Sequence, residues 1–384
     1  MNLKNEKNFI FLSVGIILIF LLSMGYFFQT EISSLRRANK QETSVKRLRF
    51  VGVGDNLIHD SIYNAADRRK GLFGDGQYDF DHLYENIKPE LDQYDLKYIN
   101  QESIIAGDKF GIGTYPHFNT PQAMIPALTR AGFNMVNMAN NHSLDKGSWA
   151  IPESIKLWDQ TDVYHTGAFA SQEDRDKPVI IDKNGIKVGF LCYTYGTNGI
   201  APDTDYRVSY LNEEKIRKDV ANIKDKVSCH WGEEGIQALD NTQKKYSKLF
   251  NDLGVDVVIG THAHKIQTVK WLENKDNKRT LVYYGTGNFV HNMLTPITYL
   301  EGMATFDFVK DGDKKYIDRP RFVPLVFHLE RNQYGLDGSV YRMDKYPIDL
   351  ANRHIEMYGN GAYHLENYRK IVKSIIPQEF LENK

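Results

Sequence analysis

A chain of 384 residues is long enough for one large domain or two ordinary ones, with a sizeable buried core. Its 48 Lys and Arg against 49 Asp and Glu leave a net charge of −1, which removes the global basic field expected of a nucleic-acid binder. Two cysteines, Cys192 and Cys229, are too few for a disulfide framework, and their apolar surroundings predict buried thiols.

In chain order, residues 1–8 carry Lys4 and Lys7 and are expected as a short cytoplasmic N-terminus. Phe9 to Phe28 runs without a charge, long enough to cross a bilayer as a single pass. That apolar length favours a retained signal anchor over a signal peptide, whose apolar core is typically ~7–15 residues. Ser23-Met24-Gly25 nevertheless offers a small-x-small cleavage site. Arg36, Arg37, Lys40, Lys46, Arg47 and Arg49 follow the span, although positive residues usually mark the cytoplasmic side. The body is still expected outside the cell membrane, partly on the resemblance described below. Residues 29–47 are polar and aperiodic, as a linker would be, and can touch anionic lipid headgroups.

The globular part, residues 48–330, opens with the strand Leu48 to Asp55, LRFVGVGD. Helical spacing follows from Phe80 to Leu91, then a strand over Leu96 to Glu102 and a helix from Pro121 to Ala131. Strands are expected at Asn134 to Met138, Val179 to Ile181, Lys187 to Tyr193 and Val227 to His230. Helices are expected from Pro152, from Glu213 to about Lys226, and from Gln243 to Leu253. Val255 to His264, VDVVIGTHAH, is a buried strand that delivers two histidines; on an extended backbone their alternation would point both rings one way. Leu281 to Tyr284, Met303 to Phe308 and Phe322 to Phe327 add later strands. Residues 331–384 form a polar, tyrosine-rich extension ending in a helix over Leu365 to Ile376. This alternation predicts a layered α/β fold, a β-sheet core flanked by helices.

Polar residues gather just after the strands. Asp55 closes the first, Asn100 and Glu102 the second; Asn141 and His142 follow the third, His230 a fourth, and His262 and His264 a fifth. Each alone has an ordinary explanation, as a helix cap, an Asx turn or a backbone-satisfied histidine. Five strand ends in succession offering Asp, Glu, Asn and His instead predict convergence on one sheet edge, where α/β proteins bind ligands. Mixed carboxylate, amide and imidazole donors without cysteine suit one or two divalent transition-metal ions, Mn, Fe or Zn, and not a zinc finger.

At these residues the chain resembles the CapA family of poly-gamma-glutamate capsule-biosynthesis proteins, whose domain is similar to calcineurin-like metallophosphoesterases. The likeness rests on VGD55, NQE102, ANNHSLDKG with Asn141 and His142, H230WGEE, GTH262AH264 and YYGTGNFV, whose GTG turn would bring Asn288 near the site. It implies Asp55, Glu102, Asn141, His230, His262 and His264 as metal ligands, with Glu102 bridging two ions. It further implies His142 as general acid, with Asp145 and Glu233 orienting imidazoles. Two departures from the wider phosphoesterase pattern stand out. Asn56-Leu57 follows Asp55 where Asp-x-His is usual, and Glu102 replaces the bridging aspartate. His59 is the one nearby substitute for the missing imidazole. The expected roles are a hydrolase of the envelope, a polymer-handling protein for anionic polyglutamate, or a scaffold for other capsule-synthase subunits.

Overall fold

The structure is a computed structural model that describes residues 20, 22–33, 45–71, 74–223, 226–295, 297–357 and 359–382. The chain divides into two units, residues 1–46 with 309–315, and residues 47–308 with 316–384. In the first, residues 22–33 are helical. The expected membrane span, Phe9 to Phe28, lies largely outside the described residues. Among the described residues no helix is long and apolar enough to cross a membrane.

Apart from Lys46 and residues 309–315, two β-sheets lie in the second unit. Sheet one has the order β14-β13-β12-β1-β2-β3-β4, with β11 also paired to β1. Its leading strands are β1 (Lys46–Asn56), β2 (Leu96–Asn100), β3 (Met135–Asn137) and β4 (Tyr164–Thr166), which run parallel. The later ones are β11 (Asn288–Val290), β12 (Leu300–Asp311), β13 (Lys314–Asn332) and β14 (Gly335–Arg342). Sheet two has the order β5-β6-β7-β8-β10-β9. It contains β5 (Val179–Lys183), β6 (Ile186–Thr194), β7 (Lys226–Trp231), β8 (Val257–His262), β9 (Val269–Glu273) and β10 (Arg279–Tyr283). This is the layered α/β fold expected. β13 runs through residue 330 and pairs antiparallel with β14, so the start of the tyrosine-rich region is an edge of sheet one.

The sheets meet across a core of aromatic and branched side chains. Tyr98 of β2 meets Phe190 of β6 edge-on at 6.1 Å between centroids, and within sheet one Phe50 of β1 stacks on Phe306 of β12 at 4.6 Å. Such aromatic pairs each add about 0.5–1.5 kcal/mol beyond the area they bury. The Tyr98 hydroxyl also reaches Ser228 of β7, which ties the two layers by a buried hydrogen bond. Cys192 and Cys229 are buried and neither forms a disulfide.

A second apolar cluster covers the far side of sheet two, where Val220, Leu249 and Phe250 pack with Trp231 and Val258. The helix Asn241–Asp252 starts there because Asp240 and Gln243 form a reciprocal capping box that satisfies two otherwise unpaired N–H groups. The run expected as one helix over Phe80 to Leu91 is instead a 3₁₀ turn, Asp81–Leu83, and a short helix, Lys88–Leu91. Pro89 is the cause: its ring clashes with the preceding turn, so a helix can begin beside it but not pass through.

Candidate metal centre

Strand register brings the clustered residues to one level. Asp55 lies opposite Asn100, Asn100 opposite Asn137, and Asp55 opposite Asn288. In sheet two, His230 pairs with Thr261 and Trp231 with His262. The carboxyl ends of β1, β2, β3, β7 and β8 therefore open on one place. Sheet one and its loops bring Asp55, Glu102 and Asn141; sheet two brings all three imidazoles, His230, His262 and His264.

Side-chain geometry completes the cluster. His230 Nε2 lies 2.8 Å from Asn141 Oδ1 and 3.4 Å from Glu102 Oε1. His264 Nδ1 is 3.3 Å from Asp55 Oδ2, and its Nε2 is 3.8 Å from Glu102 Oε1. An amide ladder fixes the floor: Asn137 Nδ2 donates to Asn100 Oδ1 at 2.8 Å, and Asn100 Nδ2 donates to Asp55 Oδ1 at 2.6 Å. Asp55 Oδ2 accepts the His262 backbone N–H at 3.0 Å, which joins the sheets at the site. Asn288, as expected from its GTG turn, reaches the centre, with Oδ1 2.8 Å from His264 Nδ1.

The convergence of His262 and His264 has a different cause from the one expected. β8 ends at His262, and both histidines adopt left-handed backbone, with φ of 92° and 53°. Their ring centroids are 5.8 Å apart because the chain turns there, not because a strand alternates. Non-glycine residues at positive φ are uncommon and tend to mark functional sites.

The donors fit a divalent cation. Both Glu102 carboxylate oxygens and His262 Nδ1 are buried without a hydrogen-bond partner. A buried carboxylate left without a partner is expensive, and a cation is one of the few partners that answers it. Glu102, His230 and His262 each place a donor atom within 4.8 Å of the others, as do Asp55, Glu102 and His264. The electrostatics mark the centre as a place that favours positive charge. Burial alone would depress His264, but Glu102 and Asp55 outweigh it and hold the imidazole well above its ordinary value. His262 moves the other way, well below, through burial and the neighbouring imidazoles, so its ring is neutral and ready to donate an electron pair.

Beside the centre, His142 Nδ1 lies 2.7 Å from Asp145 Oδ2, which also accepts the Phe118 N–H at 2.7 Å. Burial works against the imidazolium; the Asp145 bond and the Glu102 charge overcome it and raise His142 above its usual value.

His59 does not replace the missing imidazole. Its Nδ1 accepts the Asn292 N–H at 3.1 Å, burial lowers it to about 4, and it stands in none of the donor groups among the described residues. Glu233 is exposed, and its neighbour Glu234 is the one at the site, with Oε1 3.5 Å from His264 Nε2. Tyr195, just past β6, joins the site although no motif singles it out: its ring lies 4.4 Å from that of His262 and remains 43% exposed. Burial and the charges of Glu234 and Glu102 push its hydroxyl up to about 12. The only sequence signal for Tyr195 was its place after a strand.

Fold and site together define a two-sheet α/β protein with a buried carboxylate–imidazole centre that can hold a divalent cation. The model of the bacterial capsule synthesis protein family PGA_cap matches residues 49–293, which include every clustered residue, and the chain belongs to that family. It is 24% identical over 302 residues to the capsule biosynthesis protein CapA of Bacillus anthracis, covering 75% of this chain and 69% of that one. It is 23% identical over 212 residues to the PGA biosynthesis protein CapA of Bacillus subtilis (strain 168), covering 52% of this chain and 53% of that one. Among solved structures it is similar to a phosphatase from Mycoplasma pneumoniae, with a TM-score of 0.46 and 12% identity over 74% of this chain and 95% of the other.

Proposed function

We propose that this chain is a single-pass cell-membrane protein whose extracytoplasmic centre acts on poly-gamma-glutamate during its synthesis, transport or release. The chemistry would be metal-dependent hydrolysis of metallophosphoesterase type. The observation that carries this reading is Glu102, whose two unpartnered, buried oxygens face imidazoles from the opposite sheet. Asp55, Glu102, Asn141, His230, His262 and His264 would hold one or two ions of Mn, Fe or Zn. Such an ion supplies Lewis-acid polarisation and a nucleophile of low pKa. The protein's own groups do the rest. Asp145 holds the Nδ1 side of His142, leaving Nε2 to deliver a proton to a leaving-group oxygen. The amide ladder through Asn100 keeps Asp55 oriented. The membrane, the anionic polymer and other capsule-synthase subunits are the partners this reading implies, and nucleic acid is not.

A second reading, metal-assisted polymer binding or scaffolding without cleavage, draws on position 57. There a buried leucine stands in the block where the phosphoesterase pattern has an imidazole. Metal analysis of the purified full chain, with activity on phosphodiester and γ-glutamyl substrates, separates the readings. Wild type should carry one or two ions, and His262→Ala with His264→Ala should carry none. Unchanged metal content in that double variant overturns the centre. Bound metal with neither activity leaves the binding reading. Protease added to intact protoplasts should remove the body if the orientation is right.

A further inference from the structure

We propose that Glu234 is an exchangeable ligand of this centre, displaced when an anionic oxygen of the substrate arrives; this rests on the cation reading above. Glu234, His262 and His264 form a donor group of their own, with one atom from each within 4.8 Å of the others. What separates Glu234 from the other donors is water. Its side chain is 56% exposed, whereas that of His264 is 2% and those of Asp55, Glu102 and His230 are 0%.

A ligand that must make room has to be reachable from solvent and held by few other bonds. Asp55 meets neither condition, since Asn100 and the His262 N–H occupy its oxygens. Glu234 meets both. Its backbone is nevertheless anchored: the Gly235 N–H donates to Ala263 O at 2.9 Å, between the two histidines. Gly235 has a φ of 71°, a conformation a side chain at that position would strain, so the loop is held against the histidine turn while the carboxylate can swing. In the first block a buried leucine, Leu57, stands where an imidazole is usual, and Glu234 offers an oxygen donor from the other sheet. A group that takes its place must offer the same chemistry, a hard anionic oxygen. Phosphoryl and carboxylate groups both qualify.

The test titrates Mn²⁺ into metal-stripped full-length chain in detergent, comparing wild type, Glu234→Gln and Glu233→Gln. Inorganic phosphate or tri-γ-glutamate is then titrated into the Mn²⁺-loaded chains. Glu234→Gln should bind Mn²⁺ roughly 10-fold more weakly. It should bind the anions several-fold more tightly, because their competitor is gone, and the anion with the larger gain identifies the source. Glu233→Gln should match wild type in both. Absence of Mn²⁺, Zn²⁺ and Fe²⁺ binding by wild type would sink the cation reading, and this inference with it. Normal binding by wild type with no change in Glu234→Gln, or an equal change in Glu233→Gln, overturns only the role of Glu234. Weaker anion binding in Glu234→Gln does so too, since the carboxylate would then assist the substrate.

Discussion

Asn141 and His142 are consecutive, yet they face different partners: Asn141 Oδ1 lies 2.8 Å from His230 Nε2, and His142 Nδ1 lies 2.7 Å from Asp145 Oδ2. One side chain joins the donor cluster while the next turns to a carboxylate outside it. A ligand must stay bound for the site to exist; an acid has only to deliver a proton.

Asn141→Ala should therefore lower metal affinity. His142→Ala should keep metal and fold and slow turnover by ~10²–10⁴-fold, less for substrates with good leaving groups. Calorimetric metal binding and steady-state kinetics on the two variants check this. If polymer output survives His142→Ala and fails in Asn141→Ala, the centre matters but hydrolysis does not.

Gly260 sits on β8 beneath the histidine turn, and a Cβ there would lie 2.0 Å from Tyr284 O and 2.4 Å from Trp231 Nε1. Backbone cannot retreat as a flexible side chain can. Gly260→Ala should destabilise the fold by about 1–3 kcal/mol or more and spoil the centre by moving His262. Urea denaturation with metal analysis reads both effects. Wild-type stability in this variant would show that β8 and β10 can part more easily than their pairing implies.

Asp337 of β14 accepts hydrogen bonds from Arg69 Nε at 3.1 Å and Asn332 Nδ2 at 2.9 Å, and lies 2.8 Å from His82 Nε2. Burial works to raise its pKa, but the bonds with His82 and Arg69 win and hold it well below the usual carboxylate range. A depressed carboxylate stabilises the fold above its unfolded value and loses that contribution as pH falls through the folded one. Asp337→Asn should thus lower stability at pH 7 by about 1–3 kcal/mol. The gap to wild type should narrow below pH ~4, where the unfolded carboxylate takes up its proton. Urea curves at pH 7 and pH 3 make the comparison, and a constant gap would count against a charged Asp337.

Much of the site was legible because strand ends leave a compositional mark. An apolar run followed by Asp, Glu, Asn or His is visible at Asp55, Glu102, Asn141, His230 and His262, and the register aligns those ends. What escaped were turns whose direction depends on backbone handedness. His262 and His264 have positive φ, for which a histidine gives only a weak residue-type signal. The choice between Glu233 and Glu234 was set by the Gly235 bond to Ala263, a contact between distant segments. β14 was hidden because its half-buried ends and its Asp-Gly-Ser run read as a polar tail, although the strand is buried at its centre and pairs with β13 from end to end. Pro89 breaks the helix even though the apolar spacing around it is helical.

The division of donors between the sheets has a mechanical consequence. With acids and amide on one layer and imidazoles on the other, a seated cation would act as a clasp across the interface that Tyr98 and Phe190 fill. Binding energy would then enter global stability directly, by ~2.7 kcal/mol at a hundredfold excess over Kd. Metal scarcity would loosen the contact between the layers, and the melting temperature of this protein would report the concentration of metal around it.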